Sequence, residues 1–587
     1  MGKFFQFVFA SCLGVILASV VVGGIGALVI GKVVSSADAP EKVKANTVLK
    51  LDLGSAVPEK TNNVPVDPFS FDTEKKLGLF EMVEIIGKAK DDDKIKGIYL
   101  DIDAVPMGRA SASTLRDALV DFKSDGKFIV SYSEYYSQGT FYLASISDKI
   151  FVNPLGGVDF RGFGAQIPFF KDMLDRLDIK MQVYYAGDFK SATEPYRLDK
   201  MSEKNRLQTR EYVESMYDLY LTDISEGRKI SKQELRKMAN EYLLRNAADA
   251  LDYKMVDAVG YEDEALDEIR NLLGLDKDDK LNTIGLGDYG KGLKSDTDFK
   301  IKDKIAIVFA EGTIDMGKGT PGSIGGDKYV EIFRKIRKND KIKAVVLRVN
   351  SGGGSALASD MMWREIKLLK EAGKPVIASM GDVAASGGYY IACPADSVFA
   401  ELNTITGSIG VFSMIPSIEN MLKEKVGVTF DTLTTGKFAV GITPLKNISP
   451  EEGIILQEST DEIYETFLAR VADGRKMTRD EVHNVAQGRV WTATKAKSIG
   501  LVDDIGDLDR AIAAAASLAG LEKYRTTEYP VAKEPIQQMI EQFTGQKTAK
   551  AVVEAELMEA IPYYRYLKEI NQMEGVQARL PFVFGFK

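Results

Sequence analysis

Residues 376–393 read VIASMGDVAASGGYYIAC. An apolar, β-branched run is followed by a corner of small residues and then by an apolar segment of helical character, which predicts a strand, a tight turn and a buried helix. Ser386 lies in the corner between Ala385 and Gly387, so little side-chain bulk would separate its hydroxyl from a bound substrate. The corner therefore resembles a nucleophile elbow, although it is not G-x-S-x-G. The alternative is a packing role, in which small residues let the helix lie close to the sheet.

A second loop of small residues lies upstream of this corner. The strand predicted at residues 344–349 runs into residues 350–355, NSGGGS, and then into a helix. Backbone N–H groups in such a loop can point at an anion, as an oxyanion hole requires. A phosphate-binding loop is the alternative, but neither G-K-[ST] nor G-x-G-x-x-G is present.

Composition narrows the chemistry that a serine could use. The 587 residues carry a net charge of −9 and include two cysteines and one histidine. The acidic balance argues against a nucleic-acid partner, and so few cysteines and histidines argue against a disulfide framework or a Cys/His metal site. The histidine, His483, lies in a polar helical context, which disfavours a Ser-His-Asp triad. A lysine made neutral by burial is the remaining base with precedent.

The N-terminus has the composition of a membrane anchor. Residues 4–31 contain no charged side chain. At about 1.5 Å per residue, this stretch is long enough to cross a hydrocarbon core of about 30 Å, and it is too long for the apolar region of a cleaved signal peptide. We therefore predict an uncleaved signal anchor. Lysines stand on both sides of the stretch, so charge does not decide its orientation.

Beyond the anchor, the sequence repeats itself. DKIKG at residues 93–97 matches DKIKA at 340–344, and GRK at 227–229 matches GRK at 474–476, each at an offset of 247 positions. The repeat predicts two homologous α/β halves with a charged linker between them. The predicted domains are an anchor at 1–45, a first half at 46–275, a linker at 276–301, a second half at 302–521 and a C-terminal extension at 522–587.

The two halves differ at the places where chemistry is expected. At the repeat offset, the residue opposite Ser386 is Gly139, and residues 105–107, VPM, lie opposite the glycine loop at 352–354. A corner that served packing alone would be expected in both halves. The loss of the serine and the glycine loop from the same half therefore favours a catalytic role for Ser386.

Two lysines are candidates for the base. Lys190 lies in GDFKSATEP at residues 187–195, and Lys437 lies at the corresponding place in the second half. Aligning the neighbouring glycines and prolines sets Lys190 against Ala439, whereas the constant offset sets it against Lys437. These residues alone leave both lysines open.

Several motifs together resemble the signal peptide peptidase A (protease IV) family in its long, two-domain form. They are the doubled α/β half and the sequences AASGGY at 384–389, TGSIG at 406–410 and FKSATEP at 189–195. The resemblance implies two tandem Clp-protease/crotonase-like domains, wound from ββα units into a superhelix, after a transmembrane helix, together with a homotetrameric assembly and no cofactor or metal. Carried over by position, it implies a nucleophile at Ser386, a general base at Lys190, oxyanion N–H donors at Gly353 and Gly387, and a lysine-orienting hydroxyl at Ser408.

The same resemblance implies a function and a location. It implies a serine endopeptidase that degrades cleaved signal peptides and other apolar, extended peptides, anchored in the inner membrane with its catalytic domains facing the periplasm. The proline usual in the family's S-P-G-G-S loop is Gly352 here, which predicts a more flexible loop. A crotonase-type acyl-CoA enzyme and a non-catalytic membrane scaffold are the alternatives. The C-terminal extension has no counterpart. We expect it to cover an interface or the bowl that the homotetramer implied by the resemblance would form.

Overall fold

The computed structural model describes residues 42–54, 56–61, 77–293, 298–531 and 575–580. The transmembrane helix predicted at residues 4–31 lies outside these ranges. Among the residues that are described, no helix has both the length and the apolar character needed to cross a bilayer.

Strands and helices alternate along the first half, as expected for a parallel sheet with helices packed on its faces. In chain order the elements are β1 (Thr47–Leu51), α1 (Leu79–Asp91), β2 (Ile95–Asp101), α2 (Arg109–Lys123), β3 (Phe128–Ser133), α3 (Gln138–Ala144), β4 (Lys149–Val152), α4 (Lys171–Arg176), β5 (Lys180–Ala186), α5 (Glu194–Arg197), α6 (Glu203–Arg228), α7 (Lys232–Asn240), α8 (Ala247–Asp252), β6 (Ala258–Val259), α9 (Glu262–Leu273), β7 (Asn282–Gly285) and α10 (Leu286–Gly292). Six of these strands form a parallel sheet in the order β6-β4-β3-β2-β1-β7. Its buried apolar side chains form cores with the flanking helices.

The second half repeats this arrangement. Its elements are β8 (Lys304–Glu311), β9 (Thr313–Asp315), β10 (Ser323–Gly325), α11 (Gly326–Arg337), β11 (Ile342–Ser351), β12 (Gly353–Ser355), α12 (Ala356–Glu371), β13 (Val376–Ala385), α13 (Gly387–Ala392), β14 (Ser397–Ala400), β15 (Ile405–Gly407), β16 (Val411–Ser417), α14 (Glu419–Met421), α15 (Pro450–Arg475), α16 (Arg479–Val485), β17 (Val490–Thr492), α17 (Ala493–Ser498), β18 (Asp504–Ile505) and α18 (Leu508–Leu518). The extension adds β19 (Arg525–Tyr529) and β20 (Gln577–Arg579). The main sheet has the order β17-β15-β13-β11-β8-β19, with β14 beside β13 and β18 beside β14.

Matching contacts in the two halves reproduce the sequence repeat. Arg228, at the end of α6, pairs with Asp257 at 2.9 Å, and Arg475, at the end of α15, pairs with Asp503 at 2.6 Å. The helices α6 and α15 each contain 26 residues. The tandem α/β halves predicted from the repeat are therefore confirmed.

The segment predicted as a charged linker, residues 276–301, contains regular structure. Strand β7 pairs in parallel with β1, and α10 follows it directly. Ile284, Leu286 and Tyr289 are buried in the core of the first half. The linker prediction is thus wrong over residues 282–292, because three apolar side chains spaced among Lys, Asp and Gly are enough to anchor the segment.

A further sheet draws on both halves and on the C-terminal extension. Its order is β10-β9-β12-β20-β16-β5. Strand β5 of the first half pairs antiparallel with β16 of the second, from Ala186 opposite Val411 to Lys180 opposite Ser417. This pairing brings the chain that follows β5 to the edge of the second half.

A buried polar network also joins the halves. The fully buried Arg348 lies 2.9 Å from a carboxylate oxygen of Glu59, which belongs to the first half, and 2.7 Å from one of Glu401. Asp382 accepts hydrogen bonds from the backbone N–H and the hydroxyl of Ser111, at 2.9 and 2.5 Å. Breaking a buried ion pair by removing one partner costs about 3–5 kcal/mol, so this network fixes the relative position of the halves.

Candidate active site

The corner at residue 386 has the predicted strand, turn and helix. Strand β13 ends at Ala385 and α13 begins at Gly387. Between them Ser386 has φ +56° and ψ −116°, a conformation that costs a residue with a side chain about 1–3 kcal/mol. Its backbone N–H donates to the carbonyl of Gly407 at 2.8 Å, and its own carbonyl accepts from the N–H of Tyr390 at 2.8 Å. The strained serine is therefore held from both sides.

Lys190 reaches this serine from the other half of the chain. Its Nζ lies 2.8 Å from Ser386 Oγ and 3.1 Å from both the hydroxyl and the carbonyl oxygen of Ser408. All three side chains are buried, with Lys190 only 1% exposed. Ser408 also has a positive φ, +50°, in the turn between β15 and β16. The structure thus brings together three of the residues singled out from the sequence.

The environment of Lys190 favours its neutral form. Burial holds the pKa of Lys190 well below its ordinary value of 10.5, because the ammonium ion would lose its hydration. The three hydrogen-bond partners of Nζ are uncharged oxygens. None of them offsets the cost of desolvation as a carboxylate would, so the amine is available to accept a proton.

The two other candidate bases lie elsewhere. Lys437 is exposed and pairs with Glu451 at 2.6 Å. His483, on α16, has its Nδ1 3.3 Å from the hydroxyl of Tyr464. The described contacts of the Ser386 hydroxyl are with Lys190 and, at 3.5 Å, the carbonyl of Gly410.

Gln208, on α6, fixes the segment that carries Lys190. Its side-chain Nε2 donates to the carbonyl of Phe189 at 3.1 Å and to the hydroxyl of Ser191 at 3.0 Å, on either side of the lysine. Its Oε1 accepts from the N–H of Val490 in the second half, at 3.1 Å. Nothing in the sequence marks Gln208 for this role, because a single glutamine within a helix forms no recognisable motif.

The loop at residues 487–489 supports both Lys190 and Ser408. The N–H of Phe189 donates to the carbonyl of Gln487 at 2.8 Å. The N–H of Ser408 donates to the carbonyl of Arg489 at 2.7 Å. Gly488 packs so closely that a Cβ there would lie 2.7 Å from the Cα of Lys190. A side chain at position 488 would therefore push the lysine away from the serine.

The two glycines expected to bind an oxyanion lie next to each other. A Cβ at Gly353, where φ is +95°, would come within 2.6 Å of the backbone nitrogen of Gly387. Gly387 is the first residue of α13, where a backbone N–H has no partner inside the helix. The N–H of Gly353, in contrast, donates to the hydroxyl of Ser351 at 3.1 Å. Of the two, only Gly387 has a donor that is not used within its own loop.

The arrangement is suited to acyl transfer by a serine. A nucleophilic hydroxyl, an amine whose neutral form is favoured by burial and a backbone donor at a helix N-terminus are the groups that this chemistry needs. In the described part of the chain, no group of three or more His, Cys, Asp or Glu side chains is placed to hold a metal ion.

Comparison with known proteins agrees with this chemistry. The model of peptidase family S49 matches the chain twice, at residues 121–276 and 368–522. One relative is "Protease 4" of Salmonella typhi, 37% identical, with the alignment covering 81% of this chain and 78% of that protein. The chain belongs to peptidase family S49. It is a serine peptidase with two S49 domains.

Two further relatives extend over most of the chain. "Protease 4" of Haemophilus influenzae is 36% identical, over 75% of this chain and 72% of the relative. "Serine protease SPPA, chloroplastic" of Arabidopsis thaliana is 34% identical, over 86% of this chain and 74% of the relative. Membership of a peptidase family does not favour the two alternative functions, a crotonase-type acyl-CoA enzyme and a non-catalytic membrane scaffold.

Proposed function

We propose that the chain is a Ser-Lys dyad endopeptidase in which Ser386 is the nucleophile and Lys190 the general base. The observation that carries the proposal is the 2.8 Å separation of Lys190 Nζ and Ser386 Oγ, with the lysine buried among uncharged oxygens. Ser408 would orient the amine through its hydroxyl and its carbonyl, both at 3.1 Å.

The proposed reaction is a two-step acyl transfer. Neutral Lys190 accepts the hydroxyl proton of Ser386 as Oγ attacks the scissile carbonyl, and the resulting ammonium group returns a proton to the leaving amine. Water then attacks the acyl-enzyme and gives a proton to Lys190, which passes this proton to Ser386 Oγ as the bond from Oγ to the acyl carbon breaks and the carboxylic acid product leaves. The N–H of Gly387 would stabilise the oxyanion in both steps. The N–H of Gly353 would contribute only after leaving the Ser351 hydroxyl.

The proposed substrates are apolar peptides in extended conformation, including the remnants of cleaved signal peptides. Apolar surfaces from both halves adjoin the catalytic corner: Tyr212 and Met216 of α6 share a buried cluster with Ala385 and Ile405. An extended apolar peptide could bury its side chains there, whereas a folded domain could not reach a serine that is 0% exposed.

The proposed setting is the inner membrane, with the catalytic halves facing the periplasm. An anchor at residues 4–31 would place the site near the apolar peptides that signal-peptide cleavage leaves in a bilayer. We also propose a homotetramer. Residues 426–445 offer a surface for it, because several of their apolar side chains, among them Leu433, Phe430 and Ile442, are exposed in the single chain.

The proposal is tested by hydrolysis of an internally quenched apolar peptide by the full-length protein in detergent. Ser386→Ala should abolish turnover while leaving the melting temperature nearly unchanged. Ser498→Ala, which removes an exposed serine hydroxyl on α17, is the matched control and should behave as wild type. Turnover by Ser386→Ala above about 1% of the wild-type rate would rule out Ser386 as the nucleophile, since loss of a nucleophile ordinarily costs several orders of magnitude.

A further inference from the structure

Strand β20, from the C-terminal extension, pairs with the glycine loop that lies beside Ser386. It is inserted between β12, which begins at Gly353, and β16, which follows Gly410. Extended peptides commonly bind by adding a strand to a sheet, with main-chain hydrogen bonds to its edges. In this sheet β20 pairs with the edges of β12 and β16 that face each other, so neither edge is open to another strand.

The main-chain contacts of β20 continue on both sides of Ala578. Ala578 lies opposite Gly354 in an antiparallel register. The N–H of Ala356 donates to the carbonyl of Val576 at 3.3 Å, and the N–H of Leu580 donates to the carbonyl of Gly352 at 2.8 Å. The segment is thus held along the whole glycine loop.

The carbonyl group of Ala578 reaches the catalytic corner itself. A Cβ at Gly353 would lie 2.0 Å from this carbonyl oxygen, and one at Gly387 would lie 3.1 Å from it. Gly387 directly follows the nucleophile Ser386. A substrate carbonyl placed beside these two glycines would overlap the Ala578 oxygen, so the two could not be present at the same time.

Three of the five side chains of the segment are buried. Gln577 is 6% exposed, Ala578 is fully buried and Leu580 is 7% exposed, whereas Val576 and Arg579 are partly exposed. Leu580 packs in the apolar cluster that includes Tyr212 of the first half and Ile405 of the second. The segment therefore fills an apolar position to which both halves contribute.

We propose that residues 576–580 are a built-in competitive inhibitor: they occupy the substrate cleft, and substrate binds only after they leave. The proposal rests on the proposed peptidase function of Ser386. Release of the segment frees the cleft without moving the catalytic residues, since Lys190, Ser386 and Ser408 are held by contacts with β13, β15 and the loop at 487–489. The segment then sets the apparent affinity for substrate.

The test uses the full-length protein with Leu580→Asp, which places a charge in the apolar cluster and should release the segment. We expect KM for an apolar fluorogenic peptide to fall about fivefold or more with kcat unchanged, because apparent affinity scales with the fraction of molecules whose site is free. Labelling of Ser386 by a fluorophosphonate should accelerate by a similar factor. Leu518→Asp, at an exposed leucine of α18, is the control and should change neither.

A second variant and an added peptide keep the test independent of one substitution. Ala578→Trp should have the same effect, because the fully buried position opposite Gly354 leaves no room for an indole. A capped peptide of sequence GVQARL, residues 575–580, should inhibit Leu580→Asp competitively and the wild type more weakly. Unchanged or raised KM in both variants, with the wild type active, would overturn the inhibitory role. Absence of hydrolysis and of labelling in every form would instead refute the peptidase function on which the proposal rests.

Discussion

Replacing Lys190 with methionine should remove the part of the pH dependence of the free energy of unfolding that is due to this lysine. Burial holds the pKa of Lys190 well below 10.5 in the folded state, and the amine regains its ordinary pKa when the chain unfolds. At pH values between these two pKa values, the unfolded chain binds more protons than the folded protein does. The stability contributed by neutral Lys190 is therefore complete above the unfolded pKa and is lost as the pH falls towards the folded one.

The size of this pH dependence follows from a difference of one bound proton between the unfolded and the folded state. Within that window, the difference in free energy of unfolding between wild type and Lys190→Met should change by about 1.4 kcal/mol per pH unit, in favour of the wild type as the pH rises. Loss of the contacts of Nζ with Ser386 and Ser408 shifts this difference by about 1–3 kcal/mol at every pH, so it leaves the slope intact. The variant should also be inactive.

The assay is urea unfolding followed by tryptophan fluorescence at several pH values from about 7 to 10. Both tryptophans of the chain, Trp363 and Trp491, lie in the second half, against which Lys190 docks. Lys437→Met is the matched control, since that lysine is exposed and should give a curve parallel to the wild type. Parallel curves for wild type and Lys190→Met would show that the amine keeps its ordinary pKa when folded, and would refute a neutral lysine base.

Three further predictions concern neighbouring groups. Ser408→Ala should lower kcat about tenfold, equivalent to about 1.4 kcal/mol, with KM unchanged, because one of the contacts that orient Lys190 is lost. His483→Gln should leave both kcat/KM and its pH dependence as in the wild type; a displaced ionisation limb would implicate the histidine. Burial, reinforced by the nearby Glu59 carboxylate, raises the pKa of Glu311 to about 8, so its contribution to stability is lost as the pH rises from its unfolded value of 4.5 through about 8. Glu311→Gln cannot ionise and should be more stable than wild type at about pH 9 but not at about pH 4; equal melting temperatures at both would contradict this.

The sequence contains enough information to predict the local structure around Ser386. Strong apolar periodicity followed by a small-residue corner predicts a strand, a turn and a helix, and each of these lies where expected. The repeat offset likewise predicts the two halves, because equivalent ion pairs such as Arg228–Asp257 and Arg475–Asp503 depend on residues that both halves retain.

The choice between the two lysines depends on burial, which no local pattern encodes. Lys190 is buried because β5 pairs with β16, a contact between the halves. Lys437 follows a similar motif but remains in solvent. Both lysines are expected to follow a strand, but only the long-range pairing of β5 with β16 distinguishes them.

Two further features could not be predicted from the sequence, because they too depend on long-range contacts. Gln208 acts through hydrogen bonds to two separate parts of the chain, residues 189–191 and Val490, and glutamines within helices are common. Strand β20 lies in an extension without a recognisable motif, and its place beside Gly354 depends on main-chain pairing that almost any sequence could make. The expectation that the extension covers an interface or the bowl did not include the catalytic cleft.

The Ser-Lys dyad is tested most directly by the identity and pH dependence of the residue that a fluorophosphonate labels. We expect one labelled residue, Ser386, identified by mass spectrometry of the digested full-length protein. The labelling rate should rise with pH along a single limb in the wild type, and labelling should be lost in Lys190→Met but retained in Lys437→Met. Labelling at another serine, or undiminished labelling of Ser386 in Lys190→Met, would contradict the assignment of a Ser-Lys dyad.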